Sequence, residues 1–368
     1  MTHLALTYGS ECDRQNPPAL QPDVQVNPVS VVSAGIAYQD VHTPADLVAA
    51  LIAGRPMWNR QQHLLRFEQL RDAAALETRE ARKLDRFSLL ALAAARGAVN
   101  ASRIGQRSLS TCGIYSGNMV GGWTFTEPQV RNLHGEGLGA VSPYLATAWF
   151  PGASQGQISI HLKMTGFAKT VTTDRCSGAQ AVGLAYERIR VGLQPTLLLA
   201  GGAEAPVTPF VGASLTQIPA GRVPAVEAAA YLMLSAGATG EVQIKAHRTC
   251  AVDLRSADLA DNICKWVADL MDQPGVSAPG FVLCNVPCLP RLEGPLSAAI
   301  RTALGRQVDL WFPTNVLGET LAASGALACV AAAELLTIHA RPCSSLVLSL
   351  GHHCCDLLLL SGQGGQIS

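Results

Sequence analysis

Short apolar runs alternate with amphipathic stretches along most of this chain. Runs with β-strand character recur at VSVVSAGIAY, TCGIYSG, KTVTTD, TLLLAGGAE, AAAYLML, EVQIKAH, FVLCNV, SLVLSLG and DLLLLSG. Apolar residues recur at three and four positions, as in helices, in TREARKLDRFSLLALAAARGAV, SGAQAVGLAYERIRVG and ETLAASGALACVAAAELLTIHA. Near-continuous apolar strands such as TLLLAG are typical of sheets covered on both faces. The pattern therefore predicts a layered α/β fold.

The N-terminal stretch differs from this pattern. Residues 1–28 are polar and proline-rich, and the first apolar run starts at Val29. The sequence predicts a loosely held leader over 1–28 and a folded region from Val29 onward. No low-complexity linker divides that region.

Composition and charge narrow the functional classes. The chain has 368 residues, of which 48% are hydrophobic and 15% charged, with 34 glycines, a balance that favours a large buried core over disorder. Its net charge is zero and its basic residues are scattered, so nucleic acid is not an expected partner. No apolar run reaches the ~18 residues of a membrane span, and the N-terminus lacks a secretory pattern. We expect a cytoplasmic protein without membrane association.

The eleven cysteines show no repeated spacing of a disulfide framework. Most are expected to be reduced, buried, small apolar residues. The adjacent His352, His353, Cys354 and Cys355 invite a metal-site interpretation. Neighbours on a strand point to opposite faces, however, so the sequence predicts no metal and no cofactor.

One cysteine stands in a different context. In KTVTTDRCSGAQAVGLAYERIRVG a β-like run ends at Asp174 and Arg175, and Cys176 opens an amphipathic helix. Unpaired N–H groups and the positive end of the helix dipole, worth about 1 kcal/mol, favour a thiolate there. We therefore predict a nucleophile at Cys176, with a buried structural cysteine as the alternative.

Three segments, in a consistent order, resemble β-ketoacyl synthases of the type II fatty-acid and polyketide kind. They are TREARKLDRFSLLALAAARGAV, the run VSPYLATAWFPGASQGQISIHLKMTGFAKTVTTDRCSGAQA into the nucleophile, and LLLAGGAEAPVTPF after it. The resemblance implies a thiolase fold, with two pseudo-dyad-related βαβαβαββ-like halves in a layered αβαβα arrangement. The expected halves are 29–220, with the nucleophile, and 221–368.

The resemblance also implies partners. Members of the family usually dimerise through the strand before the nucleophile helix, here 170–174. A homodimer, or a heterodimer with a related ketosynthase subunit, is expected. The implied substrate is the acyl-phosphopantetheine group of an acyl carrier protein.

Two catalytic histidines of that family are missing from this chain. In FVLCNVPCLPRLEG, Asn285 matches the asparagine of an Asn-Ala-His-Gly-Thr motif and Pro287 takes the place of its histidine. Proline has no acid, base or donor to offer. In TNVLGETLAASGA, Glu319 takes the place of the second histidine.

The lysine and the gating residue of the family are replaced as well. Thr314 or Asn315 stands at the lysine. The Gly-Phe-Gly-Gly loop, which lends a backbone N–H to the family's oxyanion hole, corresponds to SLGHHCCD, with His352 at the gating phenylalanine. Each histidine that stabilises an enolate is worth roughly 10²–10³ in rate, so decarboxylative condensation should be nearly abolished.

Three functions remain open on this basis. In the first, Cys176 accepts an acyl group from the carrier protein and passes it on without condensation, with Glu319 or His352 as general base. In the second, the chain is a non-catalytic subunit, similar to a chain length factor, that pairs with a catalytic ketosynthase. In the third, it is an unusual condensing ketosynthase that uses His352 or Glu319 in unusual roles together with Cys176.

Overall fold

The computed structural model describes residues 26–58, 64–215, 223–238 and 240–364. The predicted leader lies outside this range except for its last three residues. The helices are α1 Pro44–Ala53, α2 Phe67–Ala73, α3 Thr78–Ala81, α4 Arg86–Ser102, α5 Gln106–Ser110, α6 Trp123–Glu136, α7 Leu145–Ala148, α8 Ala153–Leu162, α9 Ser177–Arg190, α10 Pro209–Leu215, α11 Leu259–Met271, α12 Pro290–Leu304, α13 Pro313–Leu317 and α14 Ala322–Ile338. The strands are β1 Val29–Ala37, β2 Gly113–Gly117, β3 Ala168–Val171, β4 Leu197–Glu204, β5 Ala228–Ala236, β6 Val242–Ala251, β7 Phe281–Asn285, β8 Asp309–Trp311, β9 Cys343–Leu350 and β10 Cys354–Gly362.

The strand order shows an internal duplication. The ten strands follow one another as β3-β2-β4-β5-β1-β6-β10-β9-β7-β8. Counted outward from the centre, the first five strands and the last five run through the same order, and each half ends in parallel pairs. The halves join where 29–31 of β1 pair with 242–244 of β6. Two related halves were expected, and the topology contains them.

Three apolar clusters separate the layers. One lies between α4, α8 and the first half-sheet, a second surrounds α9 and α14 between the halves, and a third lies between the second half-sheet and α11 and α12. Because apolar side chains fill the space on both faces of each half-sheet, the order of layers is α, β, α, β, α. This is the arrangement that the resemblance implied. No helix in the described ranges is long and apolar enough to cross a membrane.

Some element boundaries differ from the sequence patterns. The helix expected from TREARK onward is split into α3 and α4, since Asp85 caps a new helix by accepting from the N–H of Phe87. Strand β5 pairs with β4 and β1, so strand order divides the halves after β5, later than between 220 and 221. The apolar pattern of β5 carries no information about which half it joins.

Candidate active site

Helix α9 begins in the centre of the molecule, where the two halves meet. Cys176 is its N-cap residue, as predicted. Small residues follow because α14 packs directly against this turn: a Cβ on Gly178 would lie 2.3 Å from the carbonyl oxygen of Ala322. The sequence therefore places Cys176 at a close crossing of two helices.

The thiol of Cys176 is sealed from solvent. The residue has 0% exposure, and its Sγ lies 3.3 Å from the carbonyl oxygens of both Ser349 and Cys354, which can accept its proton. Burial raises the pKa of this thiol well above its ordinary value, and a thiol hydrogen bond with Cys354 and the charge of Asp174 act in the same direction. The expectation that the helix dipole favours a thiolate is wrong for this conformation, because desolvation outweighs the dipole.

The carboxylate of Asp174 occupies the backbone donors around the thiol. Its Oδ1 accepts from the N–H of Cys176 at 2.8 Å, and its Oδ2 accepts from the N–H of His353 at 3.2 Å. A Cβ on Gly351 would lie 2.0 Å from Oδ2, so only glycine permits this approach. An internal carboxylate thus accepts from a backbone N–H of the loop to which the family resemblance assigns an oxyanion donor.

The guanidinium of Arg175 lies at the centre of a buried polar network. Nη1 donates to the carbonyls of Asn285 at 2.9 Å and Leu350 at 3.0 Å. Nη2 donates to Asn285 Oδ1 and Thr314 Oγ1, each at 3.3 Å. Nη2 and Nε also donate to Glu319 Oε1, at 3.1 and 3.3 Å. One side chain therefore connects Thr314 and Glu319, two of the positions at which the family's catalytic groups were sought, with Asn285 of the first histidine motif.

The structure brings the predicted site residues to one region. Glu319 is fixed by Arg175 and by the N–H of Leu321, which donates to Oε1 at 3.0 Å. His352 is half-buried; burial lowers its pKa, and it lies within electrostatic range of Asp174, Arg175 and Glu319. Within the part of the chain that the structure describes, Nε2 of His352 has no hydrogen-bond partner.

The other two substituted positions are structural. Pro287 is buried at the end of β7, and its carbonyl accepts from Leu289. Thr314 faces Arg175, whereas Nδ2 of Asn315 donates to Glu293 at 3.0 Å. Of the two candidates for the lysine position, Thr314 is therefore the one that lies in the site.

Asp174 and Arg175 were missed as functional residues by sequence reasoning. The available signal was two opposite charges directly before a helix that opens with a cysteine, in an otherwise small and apolar segment. Charged residues are almost never fully buried unless they are paired. Sequence position alone does not say that both side chains turn inward.

The segment expected to form a dimer lies at the edge of the sheet. β3 pairs with β2 and is the outermost described strand of the first half. The N–H groups of Ile114 and Asn118 donate to the carbonyls of Phe167 and Val171, so Thr170 between them directs its N–H to the free edge. Phe167 is 39% exposed beside this edge.

Comparison with known proteins agrees with this picture. Residues 65–222 match the family model "Beta-ketoacyl synthase, N-terminal domain". A protein of Streptomyces coelicolor named as a polyketide β-ketoacyl synthase 2 is 32% identical over 141 residues, which are 38% of this chain and 33% of the relative. The matched stretch thus spans about a third of the length of such relatives.

Two solved structures resemble the whole fold. One is a type II polyketide synthase acyl carrier protein in complex with its ketosynthase bound to the hexaketide, at a TM-score of 0.75 and 23% identity, covering 92% of this chain and 99% of that one. The other is the ishigamide ketosynthase/chain length factor, at a TM-score of 0.75 and 18% identity, covering 92% and 100%. At these identities the likeness shows the fold. Residues 65–222 are therefore similar to the N-terminal domain of β-ketoacyl synthases, and the chain as a whole has the thiolase-type fold of the ketosynthase structures.

Proposed function

We propose that this protein is a non-condensing ketosynthase-family subunit of a type II polyketide or fatty-acid-type pathway, similar in role to a chain length factor. The observation that carries the proposal is the side chain of Arg175. It bridges Thr314 and Glu319, which stand at two of the missing catalytic positions, and pairs with Glu319 at 3.1 Å. A network of the chain's own charged and polar side chains therefore takes the place of the catalytic groups there.

The chemistry of the site supports the same proposal. Decarboxylative condensation needs a reactive thiolate, neutral donors for an enolate and free N–H groups for an oxyanion. Here Cys176 is buried with a raised pKa, Glu319 brings a negative charge to a donor position, and Asp174 occupies two N–H groups. Each requirement is opposed by a separate residue.

A partner surface is available at β3. An edge strand with free N–H groups can pair with another strand, and exposed aromatic side chains next to it add apolar area. Trp149, Phe150 and Phe167 are 54%, 39% and 39% exposed in this region. We propose that a catalytic ketosynthase binds along this edge; one structural neighbour is named as a ketosynthase/chain length factor.

Co-expression with type II ketosynthases tests the pairing. The expected result is a one-to-one heterodimer by native mass spectrometry, which Thr170→Pro disrupts because proline removes the N–H at the free edge. Thr170→Ser keeps that N–H and should pair normally. A stable homodimer that ignores every ketosynthase offered, and that condenses malonyl units alone, would contradict the proposal.

A second candidate function is acyl acceptance on Cys176, favoured by the position of this residue at the N-terminus of α9. It requires the 350–354 loop to open, since the thiol has 0% exposure. The protein is incubated with acyl carrier protein loaded with acyl thioesters and its intact mass is measured. Acylation of the wild type but not of Cys176→Ala would support this candidate; an unmodified wild type would exclude it.

A further inference from the structure

Cys176 has a second thiol beside it. Cys354 opens β10 at the end of the loop that covers the site, and its carbonyl oxygen lies 3.3 Å from Cys176 Sγ. The side chain of Cys354 is also among the groups that raise the pKa of the Cys176 thiol. None of the ten cysteines within the described residues is in a disulfide.

Helix α9 orients the sulfur of Cys354 toward Cys176. Nε2 of Gln180 donates to Cys354 Sγ at 2.8 Å. Gln180 lies four residues after Cys176, and residues four apart lie on one face of a helix. The same face of α9 therefore contacts Cys354 twice, once through Gln180 and once through Cys176.

The neighbouring Cys355 provides a natural contrast. Successive residues of a strand point to opposite faces, and Cys355 packs in the outer apolar cluster, away from α9. In the ladder its partner is Cys250 on β6. Two adjacent cysteines thus have different thiol neighbours, and the register of β10 decides which one lies in the site.

We propose that Cys176 and Cys354 are a disulfide-forming pair that hydrogen peroxide oxidises. Cys354 is 7% exposed and Cys176 0%, and we assign the first oxidation to Cys354 on this difference. The Cys354 sulfur takes one oxygen to become a sulfenic acid, with release of water. The sulfur of Cys176 then attacks it, the S–O bond breaks, and a second water leaves with the thiol proton. Two thiols lose two electrons in total, and peroxide gains them.

The disulfide between Cys176 and Cys354 has a structural consequence. It joins the 350–354 loop covalently to the N-terminus of α9, and it removes Cys176 as an acceptor of acyl groups or alkylating reagents. Dithiothreitol reverses it by thiol exchange. This inference goes beyond the proposed function and does not depend on a partner subunit, because both cysteines belong to one chain.

The experiment treats the purified full-length protein with hydrogen peroxide and maps its peptides without reduction. The expected result is a dithiothreitol-sensitive link between the peptide of Cys176 and that of 354–355. Cys355→Ser should keep the link, whereas Cys354→Ser should lose it and leave Cys176 reduced. Cys284 on β7 is as buried as Cys176 and serves as an internal control, which should stay a free thiol.

Three outcomes would overturn the inference. They are a link that persists in Cys354→Ser, a link of Cys250 to Cys355 alone, and conversion of Cys354 to a sulfinic acid with Cys176 still reduced. The wild-type peptide map decides between these outcomes even if one serine variant does not fold. If the disulfide does not form, the outcome of the co-expression experiment is unaffected, so the two proposals are tested separately.

Discussion

Two buried cation–carboxylate pairs lie along α9, and only one of them lies in the site. Arg175 and Glu319 meet at the N-terminal end at 3.1 Å, with side chains 3% and 14% exposed. His247 and Asp356 meet beside the middle of the helix at 3.0 Å, with side chains 6% and 0% exposed. The two pairs have similar burial and geometry but different surroundings. Burial of a charge pair therefore does not identify a catalytic group, whereas its position relative to Cys176 does.

The pairs also differ in how they respond to pH. A guanidinium keeps its charge at every pH at which proteins fold. Burial alone would lower the pKa of His247, but the charge and hydrogen bond of Asp356, with a contribution from Glu187, raise it to about 9. The cation of the first pair is permanent, whereas that of the second titrates.

The largest effect is expected from Arg175→Met. Removal of one partner of a buried pair leaves Glu319 uncompensated and two carbonyl groups without donors, which should lower the free energy of unfolding by about 3–5 kcal/mol. Urea unfolding measures it. Arg188→Met is the control, because Arg188 donates to the carbonyl of Gln194 at the surface. This substitution should lower the free energy of unfolding by under ~1 kcal/mol. A loss as small as the control's would mean that the network is not a stabilising feature.

The pH dependence of stability isolates the second pair. The pKa of His247 is raised from 6.5 to about 9, so its contribution is fully present below pH 6.5 and is lost as pH rises through 9. The integrated effect is about 3 kcal/mol. The difference between wild type and His247→Gln in urea unfolding from pH 6 to 10 measures it. Burial raises the pKa of Glu204 to about 8 in both proteins, so its contribution to the pH dependence cancels in this difference. Parallel pH profiles would contradict the assignment.

A smaller effect is expected from Gly183→Ala on α9. The added Cβ would lie 2.1 Å from Nε2 of His247, so the ring must shift from its position beside Asp356. Overpacking of this kind costs about 1–3 kcal/mol. Gly156→Ala on α8 is the matched control, since its Cβ meets nothing within 4 Å, and it should stabilise by about 0.5–1 kcal/mol. Equal thermal midpoints for the two variants would show that the ring shifts without cost.

The smallest effect is expected when the missing histidines are restored. In Pro287→His/Glu319→His, Asp174 still occupies the N–H of Cys176, and Arg175 still lies between the substituted positions. Release of carbon dioxide from malonyl-loaded carrier protein should stay at the background of the wild type. Release well above that background would favour the reading of the chain as an unusual condensing enzyme.

Local sequence predicted the main elements well where one periodicity dominates. The helix that starts after Cys176 was correctly placed, as were the runs that form β4, β9 and β10. The three-residue β8 and the helices α11 and α12 were not predicted. A short strand carries too few residues for a period, and sheet pairing, which depends on distant residues, is what stabilises it.

The site was predicted in part. Sequence placed Cys176 at the start of a helix and identified Glu319 and His352 as neighbours of the pocket through family resemblance. It did not show that Arg175 and Asp174 turn inward. Their partners, such as Glu319 and His353, lie more than a hundred residues away in the chain.

The sequence by itself determined the alternation of elements, the helix N-terminus at Cys176 and the absence of histidines at two expected positions, because each depends on neighbouring residues. Only the tertiary structure decided the state of the thiol. Burial and the covering loop at Cys354 come from segments that meet only when the halves pack together. Together with the neighbouring carboxylate of Asp174, their effect outweighs the local helix dipole.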